Sequence, residues 1–269
     1  MKRILFAFLI ILSFTYSSCT RYLMPSIVGA DVAYKPRPMV ADSTKTSLNL
    51  TAGISGAGGL HDEGASTAAL LNINRGHTYK NFNFSYGLSG YLGKVEKAYT
   101  TSSKSDHILP EFNKSTAGLG LQTSIGYHIT SDRGNTDFRI INWENSFTRE
   151  FGEFASFRNS LFGDLTYKNL IVSRADRLWT TGISSEIIFH HRKNKEFKHA
   201  FKLFIGGSPN LKRSFDNEIK TANNNTISSS DLNRGSFQFT YFLKIKKFNL
   251  TTQVDFSHFS SSFGLGYTL

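Results

Sequence analysis

The feature that most constrains this chain is the alternation of its last thirty-odd residues. Phe237, Phe239, Tyr241, Leu243 and Ile245 occupy odd positions, with Ser236, Gln238, Thr240, Lys244 and Lys246 between them. After Lys246-Lys247 the phase switches, and Phe248, Leu250, Val254 and Phe256 alternate with Asn249, Thr251, Gln253, Asp255 and Ser257. It switches again at the end, where Phe263, Leu265, Tyr267 and Leu269 alternate with Ser262, Gly264, Gly266 and Thr268. A period of two sends successive side chains to opposite faces of a strand. Three such runs joined by short turns read as a β-meander with one bulky apolar face and one small polar face.

The same pattern recurs upstream. It runs through Leu48–Ile54, Thr67–Asn74, Phe82–Leu92, Leu119–Ile129, Ile141–Thr148, Phe157–Tyr167, Trp179–Phe189 and Phe201–Ile205. No long stretch has a helical period. Gly and Phe are abundant (22 and 24) and Pro is scarce (5), which favours an all-β barrel or sandwich over an α/β enzyme. The polar face is rich in Gly, Ser, Thr and Asn and poor in Lys and Glu, unlike a solvated surface. These strands therefore fit an antiparallel up-and-down transmembrane β-barrel, bulky face to lipid and polar face to the lumen. The final strand also resembles the C-terminal strand recognised by outer-membrane barrel assembly, with Leu269 in place of Phe. The chain is thus similar to small Gram-negative outer-membrane barrels.

The strand count is set by parity. Both ends of an outer-membrane barrel belong in the periplasm, which requires an even number. The longest loops, Lys94–Lys114 and Ser208–Asn233, belong outside, and five strand candidates lie between them. Either the stretch Glu153–Arg174 holds two strands, giving twelve, or one candidate does not span, giving ten; twelve is preferred. The turns at Arg192–Lys195 and Lys246-Lys247 then face the periplasm.

The N-terminus reads as an address. Met1-Lys2-Arg3 precedes an apolar run, Ile4 to Phe14, of secretory-signal length. Ser17-Ser18-Cys19 then resembles the lipobox of bacterial lipoproteins, with Tyr16 where that family carries Leu. The resemblance implies a signal peptide at 1–18, cleavage, and acylation (palmitate among the chains) of Cys19, the chain's single cysteine. Thr20 in place of Asp implies the outer membrane. Residues 19–45, with Pro25, Pro36 and Pro38, read as a lipid-anchored periplasmic tether, and 46–269 as the barrel.

Chemistry is sparse. There is no P-loop, GxSxG, HExxH or CxxC, and no cofactor is implied. The net charge of +11 is spread over turns and carries no nucleic-acid motif. His61-Asp62 with Asp106-His107 evokes rim proteases, and Asp255, Ser257 and His258 evoke the outer-membrane phospholipase. Solvated loops, and a strand that points Ser257 and His258 apart, are the better readings. His190-His191 fits a turn better than a metal. The Thr221–Asp231 loop with Lys212, Arg213 and Lys220 could contact lipopolysaccharide phosphates. The inward charges Glu144, Arg158, Glu186, Lys202, Lys244 and Asp255 are the main candidate set, either a plug-like network across the lumen or the lining of a narrow pore.

The functional expectation is an outer-membrane lipoprotein barrel without catalysis, acting as a structural or accessory subunit of a larger outer-membrane complex. The alternatives are a small pore or substrate channel and a soluble periplasmic β-barrel lipoprotein that binds an apolar ligand.

Overall fold

The structure is a computed structural model and describes residues 21–58, 64–97, 109, 111–162, 170–191, 194–211, 214 and 235–269. The signal peptide, Cys19, His61-Asp62, Asp106-His107, Lys212, Arg213, Lys220 and the Thr221–Asp231 loop lie outside the described residues.

In chain order the elements are β1 (Arg21–Leu23), β2 (Thr46–Ala57), β3 (Gly64–Tyr79), β4 (Phe82–Lys97), β5 (Asn113–Thr130) and β6 (Thr136–Phe151). Then come α1 (Glu153–Leu161), β7 (Leu170–Val172), β8 (Arg177–His191), β9 (Asn194–Gly207), β10 (Gly235–Ile245), β11 (Phe248–Asp255) and β12 (Ser260–Thr268). β2–β6 and β8–β12 form one closed barrel of ten strands, each paired antiparallel with its chain neighbour, and β12 closes on β2 through pairs such as Leu265 with Ala52. Full closure leaves no exposed edge.

The faces settle the solvent. Ile54, Leu92, Leu119, Ile205, Phe248 and Leu265 point outward, 59% to 70% exposed, whereas Asn49, Asn83, Asn142 and Ser146 point inward at 0%. A soluble barrel would show the reverse alternation. A continuous outward apolar band with a polar interior belongs in a bilayer, so the soluble ligand-binding reading is excluded.

The preference for twelve strands is corrected to ten. The stretch read as one or two strands holds α1 and the short β7. Phe154, Arg158 and Leu161 are the buried residues of α1, and their spacing of four and three is that of one helix face. Removing this candidate leaves four strands between the longest loops, as parity demands.

The two rims differ. β3 and β4 are joined by two residues, as are β8 and β9 and β10 and β11, and this short-turn rim also holds the start of β2 and the end of β12, where Leu269 N–H donates to Leu48 O at 2.8 Å. The opposite rim carries the long connections, including α1 and β7. Long loops lie on the outer side in this architecture and short turns on the periplasmic side.

Residues 21–45 are not an external tether. They enter the lumen at the long-connection rim, where β1 lies parallel to β7 (Tyr22 beside Ile171), and leave at the short-turn rim before β2. The first barrel strand begins at Thr46. The threading has a physical cause. Eight strands enclose a lumen that side chains just fill, and ten leave more space. Much of this wall's inner face is Gly, Ser, Thr and Asn, so a further segment is needed to fill it to protein density.

Candidate functional site

The lumen is a binding site for the chain's own N-terminal segment. A segment outside any ladder must still satisfy its buried carbonyls; turns satisfy those of Pro25 and Ile27, which accept from Val28 and Ala30 N–H at 3.2 and 2.9 Å. Wall side chains satisfy others. Ser66 Oγ donates to Ser26 O at 3.1 Å, Gln238 Nε2 to Gly29 O at 3.0 Å, and Gln122 Nε2 and Ser146 Oγ to Asp31 O, both at 2.8 Å. Gln253 Nε2 donates to Val32 O at 3.1 Å, Asn49 Nδ2 to Pro36 O at 3.1 Å, and Thr78 Oγ1 to Pro38 O at 2.6 Å. The strand residues that read as a small polar face are thus the receptors of the plug backbone.

Charge fixes the lower half of the plug. Arg37 Nη1 donates to Asn83 Oδ1 at 2.7 Å, Ser124 Oγ at 3.1 Å and Asn142 Oδ1 at 3.2 Å, while its Nη2 meets Glu186 Oε2 at 3.0 Å. Glu186 also takes Arg139 Nη1 at 2.7 Å and the Tyr34 hydroxyl. Arg139 Nη2 reaches back to the carbonyls of Arg37 and Pro38 at 3.1 and 3.2 Å. Glu144 pairs with Lys202 of the wall at 2.7 Å and with Lys35 of the plug at 3.5 Å. All these side chains are buried, so each charge depends on its partners rather than on water.

The upper half is held at Glu150, whose Oε1 accepts from Ser26 N–H at 2.8 Å, Ser26 Oγ at 2.7 Å and Thr116 Oγ1 at 3.1 Å. Its other oxygen meets Arg158 of α1. Arg158 in turn donates to Ala175 O at 3.0 Å and Ser173 O at 2.5 Å, locking α1 over the plug. On the outer face of α1, Ser115 N–H donates to Glu153 Oε2 at 3.2 Å and holds that exposed carboxyl below the usual carboxylate range.

Apolar contacts complete the seal. Leu23 packs with Val95, Phe154 and Val172; Tyr22, Ile27 and Val28 with Ala68, Tyr91 and Leu178; and Tyr34 and Met39 with Ile188, Ala200 and Phe242. The Tyr34 and Phe242 ring centroids are 4.8 Å apart. Gly76 makes the close approach possible, since a Cβ there would lie 2.6 Å from Pro36 O and 3.0 Å from Arg37 Cα. Gly29 turns the plug with φ +82°, against His258 and Ser260. Among the described residues the spaces between plug and wall include three of about 30, 20 and 10 Å³, room for one or two waters at most.

The six candidate charges divide. Glu144 and Lys202 meet each other; Glu186 meets plug and wall arginines instead. Arg158 is on α1 rather than a strand, with Glu150. Lys244 sits at the short-turn rim opposite Lys198, which pairs with Asp42 of the plug. Asp255 caps the β11–β12 turn: Oδ1 accepts from the N–H groups of Ser257 and His258 at 2.8 and 2.9 Å and lies 3.2 Å from His258 Nδ1, while Ser236 Oγ donates to Oδ2. Ser257 enters this set through its backbone, so the arrangement serves a turn. His190 bonds backbone carbonyls of Gly134 and His191 at the short-turn rim. Among the described residues no group of three or more His, Cys, Asp or Glu could hold a metal.

Sequence reading missed Tyr34, Lys35, Arg37, Arg139, Glu150 and Phe242. For Arg139 a signal existed. Ile140 and Ile141 both face outward, 43% and 47% exposed, at a register shift between β6 and β8. Such a bulge reverses the parity of the strand and turns Asp137 and Arg139 into the lumen, where Arg139 meets Glu186. The paired Ile-Ile break in alternation was its mark.

No family model matches the chain, and no curated protein does. Among solved structures it is similar to the NanC porin (12% identity, 81% of this chain and 97% of that one, TM-score 0.34). It is also similar to OprG of Pseudomonas aeruginosa (9%, 86% and 99%, TM-score 0.39) and to the translocator domain of the autotransporter NalP of Neisseria meningitidis (8%, 85% and 90%, TM-score 0.38). Likeness at this level carries no argument about activity. The assignment to the outer-membrane barrel architecture rests on the chain's own closure, alternation and rims.

Proposed function

We propose that this protein is an outer-membrane channel of the plugged kind, held shut by residues 24–40, and that an acyl group on Cys19 anchors it further. One observation carries the gate reading: the two carboxylates at the centre of the lumen, Glu144 and Glu186, each have a cation of the wall as well as one of the plug. Glu144 keeps Lys202 and Glu186 keeps Arg139 when Lys35 and Arg37 leave. Neither Glu144 nor Glu186 is left alone when Lys35 and Arg37 are released, which suits a lumen that opens by local release of the segment.

A second reading makes the seal permanent. The barrel is then a structural or accessory subunit of a larger outer-membrane complex, with its basic loops toward lipopolysaccharide. The depth of the plug's ion pairs favours it.

Planar-bilayer conductance separates the two. The full chain is expected to be silent, and a variant lacking residues 21–40 to give discrete steps, with folding checked by heat-modifiable gel mobility. A folded deletion variant that stays silent would overturn the gate and leave the structural role. Where the deletion does not fold, Arg37→Ala is the substitute, and absence of openings in it counts the same way. Metabolic palmitate labelling that is lost in Cys19→Ala tests the anchor.

A further inference from the structure

The direction in which the plug is threaded assigns a side of the membrane to everything that precedes it. β1 lies at the long-connection rim: it pairs in parallel with β7, Ser173 N–H donates to Leu23 O at 2.9 Å, and Leu23 packs beneath Phe154 of α1. The other end of the plug lies at the short-turn rim. There Val40 N–H donates to Asp137 Oδ2 at 2.8 Å, Asp42 meets Lys198, and Thr78 N–H donates to Lys45 O at 2.9 Å. The chain therefore runs through the lumen from outside to inside before the first barrel strand begins. Residues 24–40, at about 3.3 Å each when extended, can cross a hydrocarbon layer of about 30 Å.

We infer that the chain preceding Arg21 is displayed on the outer surface of the cell, and that its partner there is the outer leaflet of the membrane. Cys19 is two residues from Arg21, a reach of about 7 Å at full extension, far short of the roughly 30 Å back to the periplasmic face. The leaflet half of this inference rests on the acyl anchor proposed above, whereas the sidedness of Arg21 does not. It reverses the expectation of a lipid on the periplasmic side. It also answers why a spanning barrel should carry a lipid. An acyl chain in the outer leaflet holds the outer end of the plug and opposes its retreat into the periplasm, beside the lock formed by Glu150 and Arg158. The plug is then held at both ends, by lipid outside and by continuity with β2 inside.

The test uses intact cells expressing the full chain. A seven-residue protease site is inserted between Thr20 and Arg21, and the same site between Lys246 and Lys247 in a second variant. External protease is expected to cut the first in intact cells and the second only after permeabilisation. The opposite pattern overturns the threading. Arg21→Cys, treated with a membrane-impermeant maleimide, keeps the inference falsifiable if the inserted site is sterically blocked. It should label in intact cells as Asn159→Cys on α1 does, while Lys247→Cys should not. Label at Lys247→Cys but not at Arg21→Cys overturns it. If Arg21→Cys labels from outside but palmitate labelling does not depend on Cys19, surface display stands and only the lipid reading fails.

Discussion

Arg37→Ala is the sharpest single perturbation of the plug. The guanidinium makes four side-chain contacts between 2.7 and 3.2 Å, one of them to the Glu186 carboxylate, and none belongs to the barrel's backbone ladder. Removing one partner of a buried pair costs about 3–5 kcal/mol. Glu186 retains Arg139 at 2.7 Å, so no carboxylate is left unpaired and the lower end of that range applies. About 3 kcal/mol corresponds to a roughly 100- to 200-fold rise in the unseated population. The assay is limited proteolysis of the purified protein in detergent, with a protease that cuts after aromatic residues and is read at Tyr34. Cleavage that proceeds through reversible opening tracks the open population, so the rate should rise by that factor while heat-modifiable mobility of the barrel is unchanged. Arg37→Lys, which keeps charge but lacks the planar fork, should fall between. A cleavage rate equal to that of the parent, in a folded Arg37→Ala barrel, would refute the reasoning. Loss of the barrel itself would show that plug and wall are one cooperative unit.

Other substitutions probe separate parts of the account. Gly76→Val places side-chain atoms where Pro36 O and Arg37 Cα now lie, so it should unseat the plug and speed cleavage at Tyr34 without lowering the barrel's melting temperature in detergent. Phe242→Ala removes the ring against Tyr34, should loosen the plug by about 3–5 kcal/mol at most, and is read by the same cleavage. Ile205→Lys puts a charge on the lipid face at a 65% exposed position; it should cost up to about 2–4 kcal/mol in bilayer refolding titrations and leave plug cleavage unchanged.

The barrel was legible in the sequence because its code is local. Period-two alternation needs no knowledge of distant partners, and the polarity of the small face marked which side meets lipid. The exception inside it, Glu153–Leu161, failed because Phe157 and Leu161 fit both a two-residue and a four-residue period, and the short run could not arbitrate between them. The plug was not legible because a segment satisfied by scattered side chains and isolated turns has no period of its own. Its traces lay in the wall instead. Ile188, Ala200, Phe204 and Phe242 interrupt a face that is otherwise small and polar, and each is buried inside the barrel. An apolar residue on the lumen face has to pack on something. Read that way, those interruptions predict an internal occupant, and the apolar residues Tyr22, Leu23, Ile27, Val28, Val32, Tyr34 and Met39 supply it. Of the candidate charges, Glu144 and Lys202 found each other because both lie on regular strands, whereas Glu186 needed partners from a bulge and from the plug.

The N-terminal segment occupies the lumen. Cross-linking a plug residue to the wall tests it most directly. On a Cys19→Ala background, Tyr34→Cys and Phe242→Cys replace two rings whose centroids lie 4.8 Å apart. A short homobifunctional thiol reagent applied to native membranes should join them within one chain, giving a product with altered gel mobility that neither single variant yields. Both thiols reacting separately with monofunctional reagent, with no intramolecular product, would place the segment outside the barrel and contradict the account.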